Sequence, residues 1–179
     1  MNTLTKIDPH AALDGPTTLV IKRVLPGTME RVWDYLTDSE LRSSWLASGA
    51  MPLEPGADFE LTWNNNDMGD PPAPRAEPVP PHTGACRMIA VDALRSLTFD
   101  WLGVGEVTFT LKHHADGVLL TTTHKRLTQG DKQLNVLAGW HGHLDQLLAV
   151  LEGRPREDMP TLHARLKAVY AERLAAGKV

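Results

Sequence analysis

Alternating apolar and polar residues recur through much of the chain, and they predict an antiparallel sheet. A β-branched run at residues 17–25 is typical of a first strand, and Pro26-Gly27 breaks it. Five later segments alternate with a period of two and cover residues 59–63, 84–92, 95–102, 106–111 and 118–126. The Asp116-Gly117 pair before the last segment is a strong hairpin signal. Because alternation places apolar side chains on one face, we expect a sheet with one dry and one wet face.

Two short helices are predicted after the first strand. Thr28 is the expected N-cap of a helix that begins at Met29, and Asp38 or Ser39 caps a second helix ending near residues 45–46. The side-chain oxygens of such residues accept hydrogen bonds from the free N–H groups of a first helical turn.

A long helix follows the last strand. From Asp131 the apolar residues recur with a helical period, and Gly153 and Pro155 end the pattern. Its apolar stripe consists of Leu137, Trp140, Leu144, Leu147, Leu148 and Leu151. A final amphipathic segment covers residues 160–176.

This order of elements predicts an α+β domain in which a curved sheet closes around the long helix. The dry face needs a cover, and space left between sheet and helix becomes a cavity. We expect a flexible leader at residues 1–16, one domain at 17–153 and a helical extension at 154–179. The proline-rich residues 64–82 interrupt the sheet, and they are either an excursion at its mouth or a disordered insertion.

The composition argues against several classes of protein. Charged residues make up 22% of the 179 residues, the formal charge is −4, and no basic stripe is present, so nucleic acid is not an expected partner. No apolar run approaches the roughly 18 residues of a membrane span, and residues 1–16 do not have the pattern of a signal peptide. A cytoplasmic location is therefore expected. Cys86 is the only cysteine, which excludes an internal disulfide and a thiolate metal cluster.

Four stretches carry a family resemblance: residues 21–33, 38–46, 121–127 and 134–144. They resemble the bacterial homologues of the activator of heat shock protein 90 ATPase, which belong to the START-like (SRPBCC) superfamily. The resemblance implies a helix-grip fold, a hydrophobic ligand and a link to the stress response. The eukaryotic activators carry an additional N-terminal domain where this chain has a short leader, so the resemblance does not by itself imply a chaperone partner. The superfamily also contains cyclases, carriers and receptors, and its fold does not fix a function.

Aromatic residues and two histidines are the candidates for the wall of the cavity. The chain has five tryptophans, and core packing is the alternative role for each of them. His124 shares strand parity with Leu120 and is expected to point inward, as is Arg87, unless Arg87 extends to the rim. The predicted ligand pocket consists of Trp45, Phe59, Trp63, Arg87, Phe99, Trp101, His124, Trp140, His141 and Leu144.

Metal and cofactor sites are not expected. His141 and His143 lie two apart on a helix and point away from each other, whereas His141 and Asp145 are four apart and can pair. His143 is predicted to face solvent. Three oxygen-bearing residues of the insertion, Asn66, Asp67 and Asp70, lack a calcium-loop spacing and are more simply a solvated loop.

Three functions remain open at this level. The first is a non-enzymatic protein that binds an apolar or aromatic small molecule. The second is a cyclase- or hydrolase-like enzyme with His124 or His141 as general base. The third is a protein-interaction module with a chaperone-like partner that uses an apolar patch on the tail helix formed by Leu162, Leu166 and Tyr170. The alternatives for this surface are that it packs on the domain itself or forms a homodimer.

Overall fold

The computed structural model describes residues 7–179 and contains one antiparallel sheet packed against helices. The described strands are β1 (Ala12–Leu13), β2 (Leu19–Leu25), β3 (Asp58–Trp63), β4 (His82–Asp92), β5 (Ser96–Trp101), β6 (Gly105–His114) and β7 (Gly117–Lys125). The helices are α1 (Met29–Thr37), α2 (Ser39–Ser43), α3 (Asp131–Glu152) and α4 (Met159–Ala175), with a 3₁₀ turn at Asn65–Asp67. The strand order is β1-β2-β7-β6-β5-β4-β3. The predicted α+β helix-grip architecture is confirmed.

The caps of the short helices agree with the prediction. Thr28 Oγ1 accepts a hydrogen bond from the N–H of Arg31 at 3.2 Å, and Asp38 Oδ1 accepts one from Leu41 at 2.9 Å. α2 ends at Ser43, earlier than predicted. The buried guanidinium of Arg42 turns the chain there, because it donates to backbone carbonyls on both sides of the loop.

The predicted inward orientation of Arg87 is wrong. β4 buries Cys86 and Met88, so the residues of opposite parity face solvent. Arg87 pairs with Asp58 on the neighbouring strand, with 2.6 Å between Nε and Oδ1. The two parity sets of β4 are similarly apolar, and the pairing of Cys86 with Phe59 and of Met88 with Phe99 decides which set joins the core.

The long helix α3 covers the inner face of the sheet, and α4 packs on α3. Gly153 ends α3 in the left-handed conformation, with φ of 67°. The apolar side of α4, which includes Leu162, Leu166 and Tyr170, is buried. Of the alternatives for this surface, the exposed patch is wrong: the surface packs on the domain and belongs to its core.

Part of the predicted loose leader is held in place. β1 pairs with β2, and the N–H of Ala11 donates to the Tyr170 hydroxyl at 2.6 Å. The rest of the prediction, for Met1–Lys6, lies outside the described residues. Within residues 7–179, no helix has both the length and the apolar character needed to cross a membrane.

Two ion pairs fasten the proline-rich insertion to the loop that leads into α4. Arg156 forms a two-pronged contact with the Asp70 carboxylate at 2.6 and 2.7 Å, and Arg75 contacts Asp158 at 2.7 Å. Asp158 is also the N-cap of α4. These two ion pairs keep the insertion against the helical layer.

In the described part of the chain, no three His, Cys, Asp or Glu side chains converge to hold a metal ion.

Candidate functional site

An open cavity of about 510 Å³ lies where the inner face of the sheet meets α3 and the beginning of α4. Its size falls within the range of small-molecule sites. The wall is mostly apolar, with several uncharged polar groups. It is formed by Leu46, Trp63, Asn65, Asn66, His82, Trp101, Asn135, Val136, Gly139, Trp140, His143, Met159, Pro160 and His163.

A column of three stacked rings crosses the inner face of the sheet beside the cavity. Trp63 on β3 stacks on Trp101 of β5, with ring centroids 4.5 Å apart and planes 6° apart. Trp101 in turn stacks on His124 of β7, at 5.9 Å and 20°. The three residues come from alternate strands, so His124 and Trp63 cover opposite faces of Trp101. The column therefore holds both indoles in fixed orientations.

Glycines on the intervening strands make room for this column. A Cβ on Gly84 of β4 would lie 3.1 Å from Trp101 Nε1 and 3.2 Å from Trp63 Cζ3. A Cβ on Gly105 of β6 would lie 2.8 Å from His124 Nε2, and its φ of 133° also disfavours any other residue. The three stacked rings on alternate strands therefore depend on the glycines of the strands between them.

His124 is a positioning residue whose ring nitrogens both have partners. Its Nδ1 accepts a hydrogen bond from Trp140 Nε1 at 2.9 Å, and its Nε2 lies 3.1 Å from the carbonyl oxygen of Val104, to which it donates. Burial lowers the pKa of His124 to about 4, so the ring is neutral. With both nitrogens engaged, His124 has no free lone pair with which to act as a general base. Its role is to fix Trp140, which stands on α3 and lines the cavity.

His143 lines the cavity and does not face solvent, which corrects the sequence prediction. Its Nδ1 lies 2.6 Å from the carbonyl oxygen of Trp45, so Nδ1 carries the proton and donates it. Burial lowers the pKa of His143 to about 4, and the nearby His163 acts in the same direction. Nε2 is thus an unprotonated acceptor, and within residues 7–179 it has no hydrogen-bond partner.

The remaining predicted pocket residues lie away from the cavity. Trp45, Phe59, Phe99 and Leu144 are buried in the core and are not part of the cavity wall. Trp45 donates its indole N–H to the carbonyl oxygen of Tyr35 at 2.8 Å. Of the ten residues predicted, Trp63, Trp101 and Trp140 line the cavity directly.

His141 belongs to a separate buried network at the opposite side of α3. Its Nδ1 lies 2.8 Å from the Tyr170 hydroxyl, and its Nε2 lies 3.4 Å from Asp145, so the predicted His–Asp pair is present. Asp145 also accepts from Arg23 at 2.8 Å. This network ties α3 to α4, to β2 and, through Ala11, to the N-terminal segment. It does not contribute to the cavity wall.

Sequence reasoning missed the helical half of the wall. Val136 and His143 lie four and three residues from Trp140, and Gly139 lies three residues from Val136 and four from His143, so these residues form one side of α3. The spacing of His143 from Trp140 indicates this side of the helix, whereas its spacing from His141 indicates only that the two histidines diverge. His163 and Met159 come from α4 and join the cavity through the packing of α4 on α3, which no local pattern indicates.

The cavity is uncharged apart from its histidines. Among the described residues that form the wall, none is Asp, Glu, Lys or Arg. A cationic ligand would therefore lose its hydration without gaining an ion pair with a carboxylate of the wall. The site is suited to a neutral molecule.

Comparison with known proteins agrees with this architecture. The family model described as "Activator of Hsp90 ATPase homolog 1-like protein" matches residues 27–152. A Bordetella parapertussis protein encoded by gene BPP1335, solved by NMR, is 33% identical, with a TM-score of 0.73 over 93% of this chain and 91% of that chain. CalU16 from Micromonospora echinospora is 21% identical, with a TM-score of 0.61 over 87% of this chain and 86% of that one. Protein NE0264 from Nitrosomonas europaea is 19% identical, with a TM-score of 0.61 over 79% of this chain and 97% of that one. No curated protein matches the sequence.

Proposed function

Because this chain belongs to the family of activator of Hsp90 ATPase homolog 1-like proteins, whose members share the START-like fold, we propose that it binds a neutral aromatic or apolar small molecule between sheet and helices. The observation that carries the proposal is the open cavity of about 510 Å³ with three tryptophans in its wall.

Gly139 supports the proposal from the helical side. A glycine inside a helix costs about 1 kcal/mol relative to alanine, so a helix normally avoids it unless neighbouring atoms need the space. Here a Cβ on Gly139 would meet no atom within 4 Å, so packing does not demand the glycine. By contrast, a Cβ on Gly142 of the same helix would lie 2.9 Å from Met159 Cε. Gly139 keeps open a volume that the protein does not fill itself.

The aromatic column determines which ligands are suited to the cavity. The faces of Trp101 are covered by Trp63 and His124, so Trp101 presents its ring edge to the cavity. Ring edges carry partial positive charge and contact the face of another aromatic ring favourably. They do not attract a cation, which needs an open ring face. A flat, electron-rich, uncharged ligand therefore fits better than a quaternary ammonium group.

The test is to fill the cavity from Gly139 and measure the binding of a neutral apolar probe. N-phenyl-1-naphthylamine would be titrated into wild type, Gly139→Leu and Gly139→Ala, with probe fluorescence and tryptophan quenching as readouts. Gly139→Leu places a branched side chain into the cavity, whereas Gly139→Ala adds one methyl group and is the matched control. We expect wild type and Gly139→Ala to bind alike, and Gly139→Leu to bind at least about tenfold more weakly.

Equal binding by all three proteins, with circular dichroism showing all three folded, would place the probe elsewhere and contradict the proposal. So would the absence of binding by wild type to this probe and to a panel of neutral polycyclic compounds.

A further inference from the structure

The wall of the cavity contains a histidine ring whose protonation state is determined by a buried hydrogen bond. His143 is 6% exposed and belongs to the lining. Its Nδ1–H donates a hydrogen bond to the carbonyl oxygen of Trp45, in the turn that directly follows α2. Nε2 is the remaining polar atom of the ring, and it can accept a hydrogen bond but cannot donate one.

The other polar groups of the wall differ from His143 in what they offer a ligand. The indole N–H of Trp63 is buried, has no hydrogen-bond partner among the described residues and can only donate. The amides of Asn65, Asn66 and Asn135 can rotate to donate or accept, so they adapt to many ligands. His163 is partly exposed, and its Nε2 is engaged with the carbonyl oxygen of Asn135 at 3.1 Å. His143 is the group whose preference is fixed by a buried bond.

Building on the proposed function, we propose that His143 Nε2 selects ligands that carry a neutral hydroxyl group, such as a phenol or an enol, on their flat apolar body. A hydroxyl donates its hydrogen to Nε2 without introducing a charge into the cavity. A ligand with an ether or a ring carbon at that point leaves Nε2 without a donor in a site where water is displaced, and this lowers affinity. A carboxylate is disfavoured for two reasons. Its oxygens can only accept hydrogen bonds, as Nε2 does, and it brings a full charge into the cavity.

The test compares 2-naphthol with 2-methoxynaphthalene, which has the same rings but no donor. Both would be titrated into wild type, His143→Asn and His143→Gln. An asparagine can keep the donor that serves the Trp45 carbonyl but has no atom at the position of Nε2. A glutamine reaches that position with its amide oxygen. In wild type, 2-naphthol should have the lower dissociation constant of the two probes. His143→Asn should reduce this preference, measured as the dissociation constant of 2-methoxynaphthalene divided by that of 2-naphthol, about threefold to tenfold. His143→Gln should largely retain the preference.

Two results would overturn the inference while leaving the proposed function intact. One is that wild type binds both probes with equal affinity. The other is that His143→Asn, shown to be folded, weakens both probes by the same factor, since the ring would then contribute shape alone. If His143→Asn does not fold, His143→Gln decides: an unchanged preference supports the inference, and a preference lost with affinity for 2-methoxynaphthalene retained contradicts it.

A different set of results would show that the proposed function itself is wrong, and not only the inference about His143. If neither naphthalene binds wild type, or if both bind Gly139→Leu as strongly as wild type, the cavity is not the binding site and both proposals fall together.

Discussion

Acidification to about pH 5 should destabilise this protein through two buried histidines. The rings of His124 and His143 are 0% and 6% exposed, and burial is the largest cause of the lowered pKa in each case. Both have a pKa of about 4 in the folded protein, compared with 6.5 for the unperturbed side chain. The folded state therefore holds them neutral, whereas the unfolded chain protonates them below about pH 6.5.

The sign and size of the effect follow from this difference. Stability due to each neutral ring is fully present above pH 6.5 and is lost as the pH falls toward 4, and the whole loss is about 3 kcal/mol per ring. At pH 5 unfolding should take up about 0.9 proton for each of the two rings. The free energy of unfolding should therefore fall by about 2 kcal/mol per pH unit near pH 5. The carboxylates with lowered pKa, such as Asp70 at about 2, contribute below this window.

Urea unfolding followed by tryptophan fluorescence from pH 7 to pH 4.5 would measure this slope. His143→Asn removes one of the two rings and keeps a donor for the carbonyl of Trp45, so the slope near pH 5 should fall by about half. His113→Asn is the control, because it removes an exposed histidine near the end of β6 and leaves both buried rings in place. A free energy of unfolding that is constant between pH 7 and 5, or an equal slope in wild type and His143→Asn, would refute the reasoning.

Three further outcomes are expected. Gly84→Ala should lower the free energy of unfolding by about 1–3 kcal/mol and change the near-ultraviolet circular dichroism, because the added methyl group lies 3.1 Å from Trp101 Nε1. Unchanged spectra and stability would count against the stacked column. Tyr170→Phe should lower the free energy of unfolding by about 1–3 kcal/mol, measured by urea titration, because the N–H of Ala11 loses its acceptor. An unchanged midpoint would show that this contact does not contribute to stability. The Cys86 thiol is 1% exposed, and burial raises its pKa to about 12. It should therefore react with Ellman's reagent at pH 8 only as fast as the protein unfolds, and rapid labelling of the folded protein would contradict this.

The architecture could be predicted from the sequence because its signals are local. Five strands alternate with a period of two, Thr28 and Asp38 are recognisable caps, and Gly153 marks the end of the long helix. Such patterns survive into the structure because each element buries one face. The parity of β4 was assigned wrongly because both of its faces carry apolar residues, and only pairing with the neighbouring strands separates them.

The cavity could be predicted only in part, because its wall depends on contacts between distant segments. The three tryptophans were found from strand parity and helix stripe. Spacing places His143 on the side of α3 that carries Trp140, but the orientation of its ring depends on a hydrogen bond to the carbonyl of Trp45, 98 positions away in the chain. His124 was found, but its role changed, since a bond to Trp140 uses the nitrogen that a ligand would have needed. Sequence spacing indicates which residues share a face and does not indicate which nitrogen is already bound.

Native mass spectrometry of gently purified wild type and Gly139→Leu tests most directly whether the cavity between sheet and helices is a binding site. We predict that wild type retains a bound neutral molecule with a mass of a few hundred daltons, and that Gly139→Leu, purified in the same way and equally folded, does not. The same adduct on both proteins, or wild type that takes up no neutral polycyclic compound even when exposed to an extract rich in them, would contradict the account.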